Sequence, residues 1–138
     1  MATSNLVQSL NPGTSFPSNR RRIETFLKSS TIVEGDLVAL DLSKTNSADQ
    51  MLYIVPANSG ASNTGLAVGV ALKIYGDKVD VVIAGYASCK VGGATAAGAN
   101  LDASAAAGIA STVTHEGIAY AITGHAAGKA NVFVKSRF

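Results

Sequence analysis

Few groups in the chain are of a kind that does chemistry, and their spacing limits what they can do. The segment Gly124-His125-Ala126-Ala127-Gly128-Lys129-Ala130 comes nearest to a phosphate-binding loop. Such a loop needs four residues between its glycines and a Ser or Thr after the lysine to reach magnesium. Here three residues intervene, Ala130 follows the lysine, and Val132-Phe133-Val134 reads as a strand where a helix is required. The segment is therefore expected to be a hairpin turn. His115-Glu116 begins like a zinc-protease helix, but Ala119 stands where the second histidine belongs. With two histidines and one cysteine in the chain, a tetrahedral site would have to draw carboxylates from elsewhere. No metal and no cofactor are assigned. Cys89 alternates with Ala87 and Val91 on an apolar strand face, which suits a small buried hydrophobe and not a thiolate nucleophile. Asp77 and Asp80 flank a tight turn and are expected to be solvated there. No catalytic residue is assigned.

Arg20-Arg21-Arg22 is the one dense charge cluster. The whole chain carries 11 basic and 9 acidic residues, a net +2 that is too balanced for a dedicated nucleic-acid binder. Three phosphate contacts would give a salt slope of only about −2.7. The triplet suits bidentate contact with carboxylates of a protein surface, or else belongs to a merely solvated arm. Nucleic acid and membrane are not expected as partners: the longest apolar stretch, Leu66 to Leu72, is far short of the roughly 20 residues a spanning helix needs. The opening Met1-Ala2-Thr3-Ser4-Asn5-Leu6 lacks the pattern of a secretory signal.

The elements that would carry these groups are read from period and punctuation. Residues 1–34 contain Asn11-Pro12-Gly13, Phe16-Pro17-Ser18-Asn19 and the arginine triplet without sustained periodicity, and are expected to form an extended N-terminal arm. At about 3.3 Å per residue, thirty such residues reach on the order of 100 Å. From residue 35 to 138 the period is two. Val38, Leu40 and Leu42 share a face; Met51 to Val55 is a second strand; Pro56 to Gly65 is a small-residue loop. Val68, Val70, Leu72 and Ile74 are expected on one face of a long strand, which turns at Tyr75-Gly76-Asp77 into Val79, Val81 and Ile83. After Gly85 comes the Ala87, Cys89, Val91 alternation. Glycines at 92, 93, 98 and 108 break up an alanine-rich stretch, which is read as loop with short strands. Ile118, Tyr120 and Ile122, then Val132 and Val134, complete the pattern.

Gly69-Val70-Ala71-Leu72-Lys73-Ile74 recurs as Gly117-Ile118-Ala119-Tyr120-Ala121-Ile122, and a Val-x-Val strand follows each copy. Two copies are too few for a solenoid. The expected fold is all-β: a compact β-barrel or β-tulip-like domain built from duplicated hairpins, with the N-terminal arm outside it. A chain of 138 residues with 47% apolar and 14% charged residues can bury a core. Alanine and 14 glycines keep that core thin, which makes burial against copies of itself or a larger partner reasonable.

The order of polar arm, Val38-Ala39-Leu40-Asp41, a loop ending Thr64-Gly65, Leu66-Ala67-Val68-Gly69-Val70-Ala71-Leu72 and a hairpin to Gly85-Tyr86-Ala87 resembles the head-decoration, or capsid cement, proteins of tailed bacteriophages, the lambda type among them. The likeness is best over residues 35–91; Gly117 to Val134 looks more like a related group of small phage capsid proteins. The resemblance implies a virion protein on the outer surface of the capsid, sitting as a homotrimer at local three-fold positions. There the arm would add to a strand of the major capsid protein, with Phe16, Arg20, Arg21 and Arg22 as its contacts. The chain departs from the family in having no tryptophan and in its arginine triplet. Two other readings stay open: a fibre-base or receptor-binding module held to the virion by its arm, and a small hydrolase using His115, Glu116 and His125.

Overall fold

The structure is a computed structural model that describes residues 21–60 and 64–135. Nine strands form one continuous sheet: β1 (Arg22–Lys28), β2 (Leu37–Asp41), β3 (Tyr53–Pro56), β4 (Thr64–Tyr75), β5 (Lys78–Lys90), β6 (Asn100–Ala103), β7 (Ala110–Thr112), β8 (Ala119–Ala121) and β9 (Lys129–Val134). A single helical turn, α1 (Ser47–Gln50), is capped by Asn46, whose side chain accepts the Ala48 N–H. The all-β expectation holds.

The sheet closes on itself in the order β1-β3-β2-β4-β5, with β5 returning to β1, which makes a five-stranded barrel. β1 runs parallel to β3, and the other seams of the barrel are antiparallel. Residues 22–28 are therefore a stave of the barrel, and an arm over the whole of 1–34 is not what forms. The reason lies in β1 itself: Phe26 enters the barrel core, and its backbone pairs with Val79 of β5. A part-apolar strand gains more from completing the ring than from staying extended in water. The arm reading of residues 1–20 lies outside the described residues.

β5 belongs to two sheets. Its first half is a barrel wall, and its second half pairs with β9 to begin a second antiparallel sheet, β5-β9-β8-β6-β7. A parallel bridge between Val91 and Ala110 brings the two ends of that sheet together. Gly85, at φ 102°, is the hinge. Before it, Val79, Val81 and Ile83 point into the barrel core; beyond it, residues of the same parity, Ala87, Cys89 and Val91, point into the second core.

The barrel core holds Phe26, Ile32, Val38, Ile54, Val68, Ala71, Val79, Val81 and Ile83. The second core is larger in number but made of small side chains, with Ala39, Ala57, Ala67, Ala119 and Ala121 among Leu37, Leu101, Ile118, Val132 and Val134. Strands must approach closely to fill it. Both faces of β2 are buried, so the expected inward row of Val38, Leu40 and Leu42 is too simple: Leu37 and Ala39 serve the second core, while Leu42 is exposed. The row expected along β4 is likewise broken. Register shifts against β2 near Val68 and against β5 near Leu72 send Val68 and Val70 into different cores.

The duplicated hairpins form, as β4 against β5 and β8 against β9. The second closes in a two-residue turn at Ala127-Gly128, both at positive φ (54° and 82°), between the mutually hydrogen-bonded Ala126 and Lys129. The glycine-rich segment is thus a hairpin turn. Ala127 sits in the left-handed region at a cost of about 1 kcal/mol, so Ala127→Gly should stabilise the fold by a similar or smaller amount, read as a higher midpoint in urea unfolding.

Two carboxylates lie inside. Asp41, at the end of β2, feels burial most strongly, which pushes its carboxyl up. Hydrogen bonds from the Ser43 hydroxyl, the Ser29 hydroxyl and the Ser43 N–H, with the Lys44 charge, outweigh burial and leave it below the usual 3.8. A carboxylate lowered in the folded state contributes stability above its unfolded value and loses it as pH falls through the folded one. Asp41→Asn should therefore flatten the acid limb of a stability–pH curve below about pH 4 while costing stability at neutral pH. Asp36, at the start of β2, accepts the Val33 N–H at 2.9 Å and pairs with Lys90 Nζ at 2.9 Å, tying the barrel to the second sheet.

Candidate functional site

The candidate site is the outer half of β1. β3 accompanies β1 only at Leu27 and Lys28. The Leu27 N–H donates to Leu52 O at 2.9 Å and the Ser29 N–H to Ile54 O at 3.1 Å. By the two-residue repeat of a strand, the N–H groups of Thr25 and Ile23 point to that same side, where none of the described strands meets them. β5 occupies the other side, with Ile23 opposite Val82 and Thr25 opposite Asp80, and the Thr25 hydroxyl donates to the Asp80 carboxylate at 2.8 Å. One edge of β1 is thus paired along its length, and the other is open among the described residues.

Side chains around this edge make a cleft of about 270 Å³ at the barrel mouth, lined by Arg22, Glu24, Thr25, Phe26, Met51 and Ile83. Alternation places Arg22, Glu24 and Phe26 on one face of β1; Phe26 descends into the core while Arg22 and Glu24 remain at the rim, exposed. Met51 is 66% exposed, and Leu52 and Ile23 are also exposed. An open strand edge between apolar side chains, with one charge of each sign at its rim, can receive an extended peptide. The one hydroxyl in its lining, Thr25, donates to the Asp80 carboxylate.

Of the arginine triplet, Arg21 and Arg22 are among the described residues. Arg20, like Phe16, lies outside the described residues. Arg22 is on β1 at the cleft, and Arg21 lies close enough to Tyr86 for its charge to act on the phenol. Burial pushes the Tyr86 hydroxyl above its ordinary value of 10, and Arg21 pulls the other way. His115 and His125 are exposed, and Glu116 takes Lys135 Nζ at 3.3 Å. Among the described residues no three His, Cys, Asp or Glu side chains are grouped to hold a metal ion. Cys89 is buried at 1% exposure, and its thiol donates to Lys90 O at 3.3 Å. Burial, reinforced by Asp36, pushes that thiol up to about 12. A disulfide reagent should leave Cys89 untouched in native buffer and label it only in denaturant, as a thiol titration will show.

A second surface was not expected. Tyr86 on β5, Phe133 on β9 and Tyr120 on β8 stand in register across three strands, and the Phe133 and Tyr120 rings stack with centroids 5.5 Å apart. Ile122 is exposed beside them. The sequence had suggested a common face for Ile118, Tyr120 and Ile122. Instead Ile118 lies ahead of β8 and is buried, Ala119 and Ala121 face the core, and the larger residues face out. The usable signal was the pairing of Phe133 with Tyr120, which only the register supplies. No helix among the described residues is long and apolar enough to cross a membrane. Compared with protein-family models and with curated proteins, the chain matches none.

Proposed function

We propose that this protein is a capsid cement protein of a tailed bacteriophage: a structural virion component that binds the outer surface of the expanded head, as a homotrimer at local three-fold positions, and clamps adjacent capsomers. The observation that carries the reading is the open edge of β1, flanked by Ile23, Met51 and Leu52 and continuous with residues 1–20. A strand of the major capsid protein lying along that edge would complete backbone pairing that β3 leaves unmade. Each such hydrogen bond contributes about 1 kcal/mol net, and burial of Met51 adds roughly 2 kcal/mol. These are modest energies per copy. A shell bears many copies, and anything that binds the assembled state alone stabilises it by mass action. Residues 1–20, with Phe16 and Arg20, would extend the contact, and Arg21 and Arg22 would meet carboxylates at its root.

The test is co-sedimentation with undecorated expanded shells of the cognate phage. Full-length protein should pellet at a fixed ratio to shell protein. A chain lacking residues 1–20, and the full chain with Met51→Asp, should each remain in the supernatant at the same concentration. Full-length protein that stays in the supernatant overturns the reading, and so does unimpaired binding by both variants.

A further inference from the structure

The open edge of β1 is short, and the fold sets its limits. β1 begins at Arg22, and from Leu27 onward its outer edge is taken by β3, with the Leu27 N–H on Leu52 O. Between those limits the backbone groups that point to the open side belong to Ile23 and Thr25. An edge of this kind is a template for another strand. The residues along it are Arg22-Ile23-Glu24, a cation and an anion placed evenly about Ile23, which is 42% exposed. Among the described residues, neither Arg22 nor Glu24 stands in an ion pair.

Such a stretch is complementary to itself read backwards. In an antiparallel ladder, residues face each other only if both direct their N–H and C=O groups toward the seam or both away from it. A symmetric pair of β1 edges can therefore be centred only on a single residue. Centred on Arg22 or on Glu24, the ladder sets two like charges directly opposite, which is destabilising. Centred on Thr25, it needs the Leu27 N–H, which Leu52 O already holds. Centred on Ile23, the two isoleucines face each other and exchange backbone hydrogen bonds, and each Arg22 stands across from the Glu24 of the other copy. Only this register uses the open stretch without a clash of charge or of pairing. We infer that the free protein forms a two-fold symmetric dimer along this edge, Ile23 on Ile23 and Arg22 on Glu24, so that the sheets of two barrels run into one another. The dimer requires no phage shell. It caps the edge in solution, and any other strand must displace the second copy to reach it. The strip is small beside the roughly 800 Å² per partner of a stable interface, so the association breaks on dilution.

Sedimentation velocity of the full-length protein should show a dimer at millimolar concentration and a monomer at micromolar. Arg22→Glu puts acids across from each other, and Glu24→Arg does the same with arginines; each alone should raise the dimer Kd roughly tenfold or more. Both side chains are exposed, so the far-UV circular dichroism should match that of the parent. The two changes in one chain should restore dimerisation. An equimolar mixture of the two single variants should form a mixed dimer, since one brings only acids to the seam and the other only arginines. A monomer at every concentration overturns the inference, and so does a trimer. A dimer that tolerates both single changes, or one that neither the double variant nor the mixture restores, overturns it as well.

Discussion

Gly117→Ala is expected to destabilise the protein by about 3 kcal/mol or more, and Gly69→Ala by a comparable amount. A methyl group at Gly117 would run into the backbone carbonyl of Leu101, with the carbonyl carbon 2.7 Å from the new atom; at Gly69 it would meet the Val82 carbonyl and come within 2.7 Å of Val81 Cγ1. Backbone in the middle of a paired strand does not move aside as a lysine tip does. Relief would require parting β6 from the chain entering β8, or β5 from β4, in a core whose alanines already depend on close strand approach. Gly93→Ala is the control: nothing lies within 4 Å of its added atom and its φ is not positive, so its urea midpoint should stay at or slightly above that of the parent. Equal midpoints for the Gly117 and Gly93 variants would refute the close approach.

The second large effect falls on Asp36. Its side chain is 8% exposed, while that of its partner Lys90 is 32% exposed. Breaking a fully buried pair costs about 3–5 kcal/mol; because Lys90 can regain water, the loss for Asp36→Ala is placed nearer roughly 2–3 kcal/mol. The carboxylate also holds the Val33 N–H, and Gly108 packs so closely that an added methyl would sit 2.7 Å from Asp36 Oδ1. Asp36→Asn keeps an acceptor and the volume but not the charge, and should cost less. A double-mutant cycle with Lys90→Met isolates the pair: a coupling of at least about 1 kcal/mol is expected, and strict additivity would show that packing and the Val33 contact carry the whole effect.

Much of the barrel was legible because burial on one side of a strand writes a two-residue alternation into the chain. The Val79, Val81, Ile83 and Ala87, Cys89, Val91 rows have that alternation, and so does the hairpin turning at Gly76. It failed where a strand is buried on both faces, as at Leu37-Val38-Ala39, and where an extra residue in a bulge changes phase, as at Val68 and Leu72. β1 was missed because four of its seven residues are exposed; only Phe26 is fully committed to the core, and pairing to two strands distant in sequence supplies the rest. The open edge depends on where β3 stops, and the aromatic row depends on β9 meeting β5 and β8 in one register. Both are products of long-range pairing, which local residue types do not encode. Arg21 and Arg22, adjacent in sequence, lie beside different parts of the fold for the same reason.

The turn of β5 at Gly85 bears on how the molecule comes apart. A single uninterrupted stave is the common wall of both halves, so neither half can shed its neighbour without fraying a strand that the other needs. Melting should accordingly be one event, with amides of Val81 and Ala87 exchanging against deuterium at the same slow rate. Heat or chaotrope will find no weaker lobe to open first.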